Sequence, residues 1–321
     1  RLGDIVHSGP FYVGPPSTPY PNLIEGASYP YSAFASSNST RAGRVYVGAN
    51  DGMLHVFDSN GGSTAGEEVF AYIPGFLFSD QAGQGLHHQA EQGYVHDYLV
   101  DLSPVAADVF INSSSSTINW GSTGWKTALI GAVRGGGKGI FVLDVTDPSN
   151  LTATNAASIV KMEFTHADLG YTYSNIQVGK MNNGKWAAIF GNGYNNTGDG
   201  KAKLFIVYLD GTTPVVLDTA VGSIANSDCN DSGSDCNGMS TPAIADLNGD
   251  GTIVAVSSPY SPSLGVVQVF EYDGSSWNKL GSSIAGSKRI GHMHGTLSLN
   301  TAGTILAVGD PLSTTAAGLR V

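Results

Sequence analysis

A strand–turn–strand pattern recurs along the chain, four times in full and a fifth time in part. In each instance a short strand rich in β-branched residues runs into a Gly- or Asn-rich turn, and a second apolar strand follows. The starts lie near residues 44, 125, 185, 252 and 304, which are 81, 60, 67 and 52 residues apart. A propeller blade needs about 40 to 50 residues, so each interval accommodates one blade with inserted loops. The pattern therefore predicts an all-β fold, a β-propeller of four-stranded antiparallel blades with inserted loops.

Helical patterns are sparse between these strands. Residues 79–92 predict one short helix, and residues 153–158 predict a turn of another. Strands that follow one another without intervening helices argue against a parallel α/β sheet. A propeller ring closes by pairing the two chain ends, so the strand-like residues 5–7 and 10–13 are candidates to complete an end blade.

The whole chain, residues 1–321, is predicted to be a single β-propeller domain, because no segment has the composition of an interdomain hinge. The Ser- and Asn-rich tracts 36–40 and 112–119 are predicted to be loops. The sequence opens abruptly at Arg1 and stops at Val321 within a strand-like run, which indicates a fragment of a longer protein.

The charge balance excludes some classes of partner. Charged residues make up only 13% of the chain, and the formal net charge is -11. An acidic chain without a basic patch is not expected to bind nucleic acid, since it offers no cations to displace the counterions of a phosphate backbone. The longest apolar runs, such as residues 204–209, are far too short to span a bilayer, so no direct membrane insertion is expected. An acidic surface suits divalent cations.

The segment Asp246-Leu-Asn-Gly-Asp-Gly-Thr252 has the pattern of the first half of a calcium loop. Asp246, Asn248 and Asp250 place oxygen side chains at alternate positions, so a tight turn can direct all three onto one ion. The intervening glycine permits a sharp turn that brings the carbonyl group of Thr252 toward the same ion. These four residues predict Ca2+ as the cofactor.

The second half of an EF-hand is absent, because Val254 and Ser257 stand where further ligands are required. The segment is therefore interpreted as a metal-bound turn between two strands, residues 240–245 before it and residues 252–256 after it. The alternative is a turn of Asn-Gly and Asp-Gly pairs whose side chains bond only to their own backbone.

Two cysteines, Cys229 and Cys236, lie in a polar loop with six residues between them. A thiolate metal site would need further cysteine or histidine ligands close by, and this segment has none. A small loop closed by a disulfide bond is the simpler interpretation, and it implies an oxidising compartment, the periplasm or the exterior. Two free surface thiols in a flexible loop are the alternative.

Motifs of catalysis are weak in this chain. There is no Gly-x-Ser-x-Gly elbow. The glycine-rich residues 135–139 lack the spacing and the following helix of a phosphate-binding loop, which favours a hairpin turn. The pair His87 and His88 and the pair His292 and His294 are candidate metal ligands, although histidines without a carboxylate at a set distance are more often structural. The four tryptophans do not indicate the residue ring that a quinone cofactor requires.

Nine short segments carry a resemblance in their order along the chain. They are Leu2–Ser8, Arg44–Asp58, Phe70–Pro74, His96–Pro104, Trp125–Gly131, Gly136–Pro148, Asp168–Thr172, Phe190–Asn195 and Asn237–Pro242. Together they resemble the C-terminal propeller of the PilY1 family, the tip and biogenesis proteins of type IV pili, over about residues 1–253. Residues 254–321 look more like FG-GAP-type propeller repeats.

The resemblance implies a function. In the family the calcium loop alternates acids or amides, which Asp246, Asn248 and Asp250 match, while Val254 stands where the family has a closing Asp. It implies a non-catalytic, calcium-stabilised propeller module of a type IV pilus tip adhesin or pilus biogenesis factor. Its partners would be pilin or minor pilins together with an unidentified host or surface ligand. The protein would be exported through the periplasm to the pilus tip or cell surface.

Two other functions remain open from the residues alone. Residues 45–58 resemble a quinoprotein blade, so one alternative is an extracellular propeller enzyme of the quinoprotein type. The other is a structural propeller of a surface protein or filament. An enzyme is not expected, because the sequence shows no coherent set of nucleophile, base and oxyanion donors.

Overall fold

The computed structural model describes residues 3–222, 238–245, 253–258, 266–273, 276–285, 297–299 and 306–308. The chain divides into two compact units. The first consists of residues 1–165 and 209–212, and the second of residues 166–208 and 213–321.

The first unit contains two four-stranded antiparallel sheets, each with its strands in chain order. Its strands are β1 (Phe11–Val13), β2 (Arg44–Gly48), β3 (Leu54–Asp58), β4 (Glu68–Tyr72), β5 (Val105–Ile111), β6 (Gly124–Ala132), β7 (Ile140–Asp144) and β8 (Val160–Phe164). Its helices are α1 (Tyr31–Ser37), α2 (Gly85–His88) and α3 (Ala156–Ile159), with single 3-10 turns at Gly75–Leu77, Pro148–Asn150 and Ala153–Asn155.

The second unit repeats the same sheet type. Its strands are β9 (Gln177–Lys180), β10 (Trp186–Gly191), β11 (Lys201–Tyr208), β12 (Val215–Gly222), β13 (Ala243–Ala245), β14 (Ile253–Ser258), β15 (Val266–Tyr272), β16 (Trp277–Ala285), β17 (Leu297–Leu299) and β18 (Leu306–Val308). Strands β9 to β12 and β13 to β16 form two four-stranded antiparallel sheets in chain order, and β17 pairs with β18.

The two middle strands of the sheets explain the sequence repeat. In β7 and β10 no side chain is exposed, and β11 is buried except at its first residue. A strand covered on both faces carries apolar residues at successive positions, so it is read as a continuous apolar run. The repeated hairpins of the sequence are therefore the middle pairs β2–β3, β6–β7, β10–β11 and β14–β15. The predicted all-β class with four-stranded antiparallel sheets is confirmed.

The core of the first unit lies between its two sheets. Leu54 and Val56 of β3 belong to the same apolar cluster as Leu129 of β6 and Phe141 of β7. The ring of Phe141 lies 5.1 Å from that of Tyr72 on β4. Complete burial of side chains of this size stabilises the fold by about 1.5–3 kcal/mol each. In the second unit, a separate cluster joins β10 and β11 to Phe270 of β15.

A β-bulge separates the third and fourth strands of every four-stranded sheet. The register shifts lie at Val56/Phe57, Val142/Leu143, Lys201/Lys203 and Val267/Val269. A bulge bends and twists the strand that carries it, so the last strand of each sheet does not present a regular edge to another chain.

The structure differs from the sequence prediction at two places near the start. The sequence does not predict helix α1, and the end of this helix lies in the tract 36–40, for which the sequence predicts a loop. The helix forms because Tyr31 and Phe34 lie on one face, with ring centroids 5.0 and 6.4 Å from that of Trp125. Residues 5–7 do not form the expected strand, whereas β1 does form within 10–13.

Helix α2 lies within residues 79–92, for which a short helix is predicted, and helix α3 overlaps the predicted turn at residues 153–158 and ends one residue later, at Ile159. Among the described residues, no helix has the length and apolar composition needed to cross a bilayer.

Candidate functional site

Each unit contains an asparagine that follows a middle strand and binds the backbone of a distant segment. In the first unit, Asn50 lies two residues after β2. Its side-chain oxygen accepts a hydrogen bond from the backbone N–H of Leu99 at 3.1 Å, and its amide nitrogen donates to Asp4 at 3.0 Å. Gly48 permits the close approach, because a Cβ there would lie 2.3 Å from the carbonyl oxygen of Val100. The connection before β5 is thereby attached to the first sheet.

In the second unit the corresponding residue is Asn192, which is completely buried. Its side-chain oxygen accepts from the backbone N–H groups of Lys203 and Met239, both at 3.0 Å. Its amide nitrogen donates to the carbonyl oxygens of Asp168 at 3.0 Å and Lys201 at 2.9 Å. Two donor and two acceptor positions of the side chain are therefore used, which is its full capacity.

The glycine and a serine complete the arrangement in both units. A Cβ at Gly191 would lie 2.3 Å from the carbonyl oxygen of Ser240. This is the same distance as that between a Cβ at Gly48 and the carbonyl oxygen of Val100. The backbone N–H of Gly48 donates to Ser8 at 2.9 Å, and that of Gly191 donates to Ser174 at 3.0 Å. Each serine stands three residues before the first strand of its sheet. We refer to these arrangements as the asparagine clips.

The segments that carry the family resemblance meet at the clips. In the first unit these are the described residues 3–8, Arg44–Asp58 and His96–Pro104. In the second unit they are Asp168–Thr172, Phe190–Asn195 and the described residues 238–242. Segments that are far apart in the sequence are thus parts of two compact structural motifs.

A group of histidines in the first unit is paired with carboxylates. We call it the histidine–carboxylate cluster, and it consists of Asp4, His7, Asp51, His55, Glu68, His87, His88, Glu91, His96, Asp97 and Asp101. His7 Nδ1 lies 2.6 Å from Asp101 Oδ2, and His96 Nε2 lies 2.8 Å from Asp4 Oδ2. These two pairs attach residues 4–7 to the connection that leads to β5.

His55 is the buried member of the cluster, with a side chain that is 4% exposed. Its Nε2 lies 3.0 Å from Asp51 Oδ2, and its Nδ1 lies 2.5 Å from Glu68 Oε1. The ring thereby joins the turn between β2 and β3, which carries Asp51, to the first residue of β4, Glu68. Asp51 also accepts a hydrogen bond from the backbone N–H of Gly3 at 2.8 Å. The buried ring is therefore linked to the start of the described chain.

Electrostatically the cluster is acidic. The hydrogen bond from the Asn50 amide, followed by that from the His96 ring, holds the pKa of Asp4 below its usual range. The sequence contains no Lys or Arg between residues 45 and 125. Histidine is therefore the only side chain in that stretch whose protonation can offset the carboxylates.

The candidate metal pair His87 and His88 has two separate partners. His87 Nε2 lies 3.4 Å from Glu91 Oε1, while His88 Nδ1 bonds to the carboxylate of Asp97. In the part of the chain that the structure describes, no group of three or more His, Cys, Asp or Glu side chains could hold a metal ion. The second candidate pair, residues 292 and 294, lies outside the described residues.

The glycine-rich residues 135–139 form the turn between β6 and β7, as the sequence predicts. Arg134 enters this turn with a φ of 51°, and a Cβ at Gly136 would lie 2.3 Å from the carbonyl oxygen of Leu99. No helix follows the turn, and burial lowers the pKa of Lys138. The turn therefore packs against the connection before β5 and lacks the helix terminus of a phosphate cradle.

An ion-pair group lies beside the clip of the second unit. Lys203 Nζ lies 2.8 Å from Asp168 Oδ2 and 2.9 Å from Asp199 Oδ2, and Lys201 Nζ lies 3.1 Å from Asp218 Oδ2. Burial by itself would lower the pKa of Lys203, but the hydrogen bonds that its ammonium group donates to Asp168 and Asp199 outweigh burial and leave the pKa above its ordinary value. Lys203 is therefore a cation at neutral pH, which suits a structural ion pair and not a nucleophile.

The site residues predicted from the sequence are Asp246, Asn248, Asp250, Thr252, Cys229 and Cys236, and all of them lie outside the described residues. The strands on either side of the predicted calcium segment are β13 and β14, which pair in antiparallel register. The segment thus connects two adjacent strands, as predicted. Binding of Ca2+ and formation of the disulfide stay predictions.

Comparison with known proteins assigns the chain to a family. A family model described as the PilY1 beta-propeller domain matches residues 2–264. The type IV pilus biogenesis factor PilY1 of Pseudomonas aeruginosa strain PAO1 is 40% identical over 256 residues, which are 78% of this chain and 19% of that protein. A PilY1 homolog of Xylella fastidiosa is 38% identical over 212 residues, which are 65% of this chain and 15% of that protein.

A solved structure agrees with the sequence comparison. The crystal structure of the Pseudomonas aeruginosa PilY1 C-terminal domain matches with a TM-score of 0.59 and 34% sequence identity. The match covers 81% of this chain and 45% of that domain. By fold class, the four-stranded antiparallel sheets are the blades of a β-propeller.

The chain belongs to the PilY1 beta-propeller family. The resemblance drawn from the sequence is confirmed, and the family match continues past residue 253 to residue 264. The chain spans about a fifth of the length of the curated Pseudomonas relative, 19%.

Sequence reasoning missed the asparagine clips and the histidine–carboxylate pairs. A signal for the clips was present, because Gly48 and Gly191 end equivalent strands and each is followed within two residues by an asparagine. The pairs His7–Asp101 and His96–Asp4 leave no such signal, since their partners are 94 and 92 residues apart.

Proposed function

We propose that this chain is a non-catalytic, calcium-stabilised β-propeller module of a type IV pilus tip adhesin and pilus biogenesis factor. The observation that carries the proposal is the match of residues 2–264 to the PilY1 beta-propeller domain. The curated relatives are named as type IV pilus biogenesis factors, which supports a role in pilus assembly.

Pilin or minor pilins are the proposed partners, with a host or surface ligand of unknown chemistry. The module would act outside the cell at the pilus tip after export through the periplasm. Loops on a rigid scaffold commonly carry binding functions. The connections 59–68, 79–93 and 112–124 therefore supply the proposed contact surface, and most of their side chains are exposed.

The proposed metal is Ca2+ in the connection between β13 and β14, with Asp246, Asn248, Asp250 and Thr252 as ligands. Two carboxylates, one amide oxygen and one backbone carbonyl suit a hard cation that prefers oxygen. The ion would hold the turn and so stabilise one blade, without taking part in chemistry.

Deletion of the gene in the source strain tests the function. Loss of surface pili, twitching motility and adhesion is expected. Re-expression of the full-length protein should restore all three, whereas the full-length protein lacking this propeller should not. Normal piliation and adhesion in the deletion strain would contradict the proposal and favour a structural propeller of a surface protein or filament.

The enzyme alternative has a separate test. A quinoprotein-like protein would oxidise an alcohol when supplied with a quinone cofactor and an electron acceptor. We expect no turnover above that of heat-unfolded protein. Turnover that depends on the quinone would replace the proposal with an enzymatic function.

A further inference from the structure

Two short segments that take part in the histidine–carboxylate cluster also carry exposed apolar side chains. We call these side chains the apolar patch, which consists of Ile5, Val6, Tyr94, Val95 and Tyr98. Their exposed fractions are 42%, 48%, 38%, 70% and 40% respectively. Twelve large apolar side chains are exposed among the described residues, and five of them belong to these two short segments. Scattered exposed apolar residues need no explanation, but a contiguous group of them marks an interaction site.

The geometry joins the two segments of the patch into one surface. The ring of Tyr98 lies 5.3 Å from that of His7 and 5.4 Å from that of His96. The two histidines bond in turn to Asp101 and Asp4. Tyr98 is therefore a fixed aromatic centre between the segments, although 40% of it remains exposed. A rigid, partly exposed aromatic ring loses little conformational entropy on binding and is typical of interface centres.

Tyr94, like Tyr98, is held by contact with a histidine of the cluster. The ring of His88 lies 5.2 Å from that of Tyr94 in an edge-to-face arrangement, and the backbone N–H of Asp97 donates to the Tyr94 hydroxyl at 3.1 Å. Val95 stands between these anchored residues and is the most exposed member of the patch, at 70%. The contacts of Tyr94 and Tyr98 with the histidines of the cluster therefore fix the position of the segment that carries Val95.

The rim of the patch is anionic. Asp4 and Asp97 have side chains that are 53% and 41% exposed. No Lys or Arg occurs between residues 45 and 125, while Arg134 and Lys138 belong to the turn that packs against the backbone of Tyr98 and Leu99. A partner with a negative surface, including an anionic membrane or a nucleic acid, would be repelled.

We propose that the apolar patch docks a basic protein segment in which leucine-like side chains stand beside lysine or arginine. The apolar side chains of the partner would cover Val95 and Tyr98, and its cations would face Asp4 and Asp97. This docking proposal rests on the proposed function, because under that function the basic segment belongs to a component of the pilus.

Fluorescence anisotropy of labelled peptides with the intact chain tests the proposal. The probe is a peptide of lysine and leucine. One control peptide has glutamate in place of lysine, and a second has serine in place of leucine. We expect the lysine–leucine peptide to bind at low salt, and to bind about tenfold more weakly at high salt because salt screens the attraction between its cations and the carboxylates.

The matched variants are Val95→Ser in the patch and Leu23→Ser outside it, because these side chains are 70% and 73% exposed. Val95→Ser should weaken binding about tenfold, whereas Leu23→Ser should leave it unchanged, with both variants melting like the parent. Equal affinity for the two variants, equal binding of the lysine–serine peptide, or equal binding of the glutamate–leucine peptide would each overturn the proposal. This assay has no pilus readout, so normal piliation of the deletion strain together with specific peptide binding would overturn only the proposed function.

Discussion

At the scale of single residues, two buried asparagines fix connections between successive sheets by hydrogen bonds to the backbone. Asn192 bonds to backbone groups from three separate segments, at residues 168, 201–203 and 239. A buried amide that loses a partner is costly, because the orphaned group has already been removed from water. Asn50 serves the first unit in the same way, but through one backbone group and one carboxylate.

Replacement of this amide is therefore predicted to be costly. Asn192→Ala leaves the backbone N–H groups of Lys203 and Met239 without their acceptor, so we expect a loss of about 2–4 kcal/mol in the free energy of unfolding. Urea denaturation followed by tryptophan fluorescence measures it. The control is Asn183→Ala, since Asn183 is exposed in a turn and caps only the backbone N–H of Lys185 at 3.1 Å. A loss no larger than that of the control would contradict the role of the clip.

At the scale of elements, the sequence predicted best where burial is complete. The middle strands were located correctly because both of their faces are covered, which produces an apolar run such as residues 140–143. Helix α1 was not found, because seven residues provide little helical signal and its stability comes from contact of Tyr31 and Phe34 with Trp125 on another sheet. The bulges of the last strands also escaped prediction, since register is set by neighbouring strands.

For the connection between β13 and β14, we predict that removal of Ca2+ lowers the stability of the protein. Without an acid at position 254, the affinity of the segment for Ca2+ is expected at the weak end of the protein range, about 10⁻⁴ to 10⁻³ M. Binding to the folded state alone raises stability with the free ion concentration. We expect the melting temperature to rise at several millimolar Ca2+ and to fall in EGTA. The double variant Asp246→Asn, Asp250→Asn should have the same melting temperature in Ca2+ and in EGTA. If the parent chain also has the same melting temperature in both, the predicted calcium site does not exist.

At the scale of the whole molecule, the candidate site is formed by contacts between residues that are far apart in the sequence. Composition alone could therefore not reveal it. The net charge of -11 predicted an acidic surface, but it did not show that residues 4–7 lie against residues 96–101. Fold topology brings these segments together, and only then do exposed apolar side chains and carboxylates form one surface. The family resemblance supplied the order of the segments, and the structure supplied their contacts.

The last prediction concerns Cys229 and Cys236, and it follows from the proposed export of the protein to an oxidising compartment. In an oxidising compartment the two thiols should form a disulfide, and the short loop that it closes implies a stabilisation of about 2 kcal/mol in the chain-entropy model. Protein purified from the periplasm or culture medium should have an intact mass lower than that of the reduced chain by two hydrogen atoms. The same chain kept in the cytosol should react with two equivalents of an alkylating reagent. If the exported protein also reacts with two equivalents before reduction, the bond is absent and the cysteines do not report an oxidising compartment.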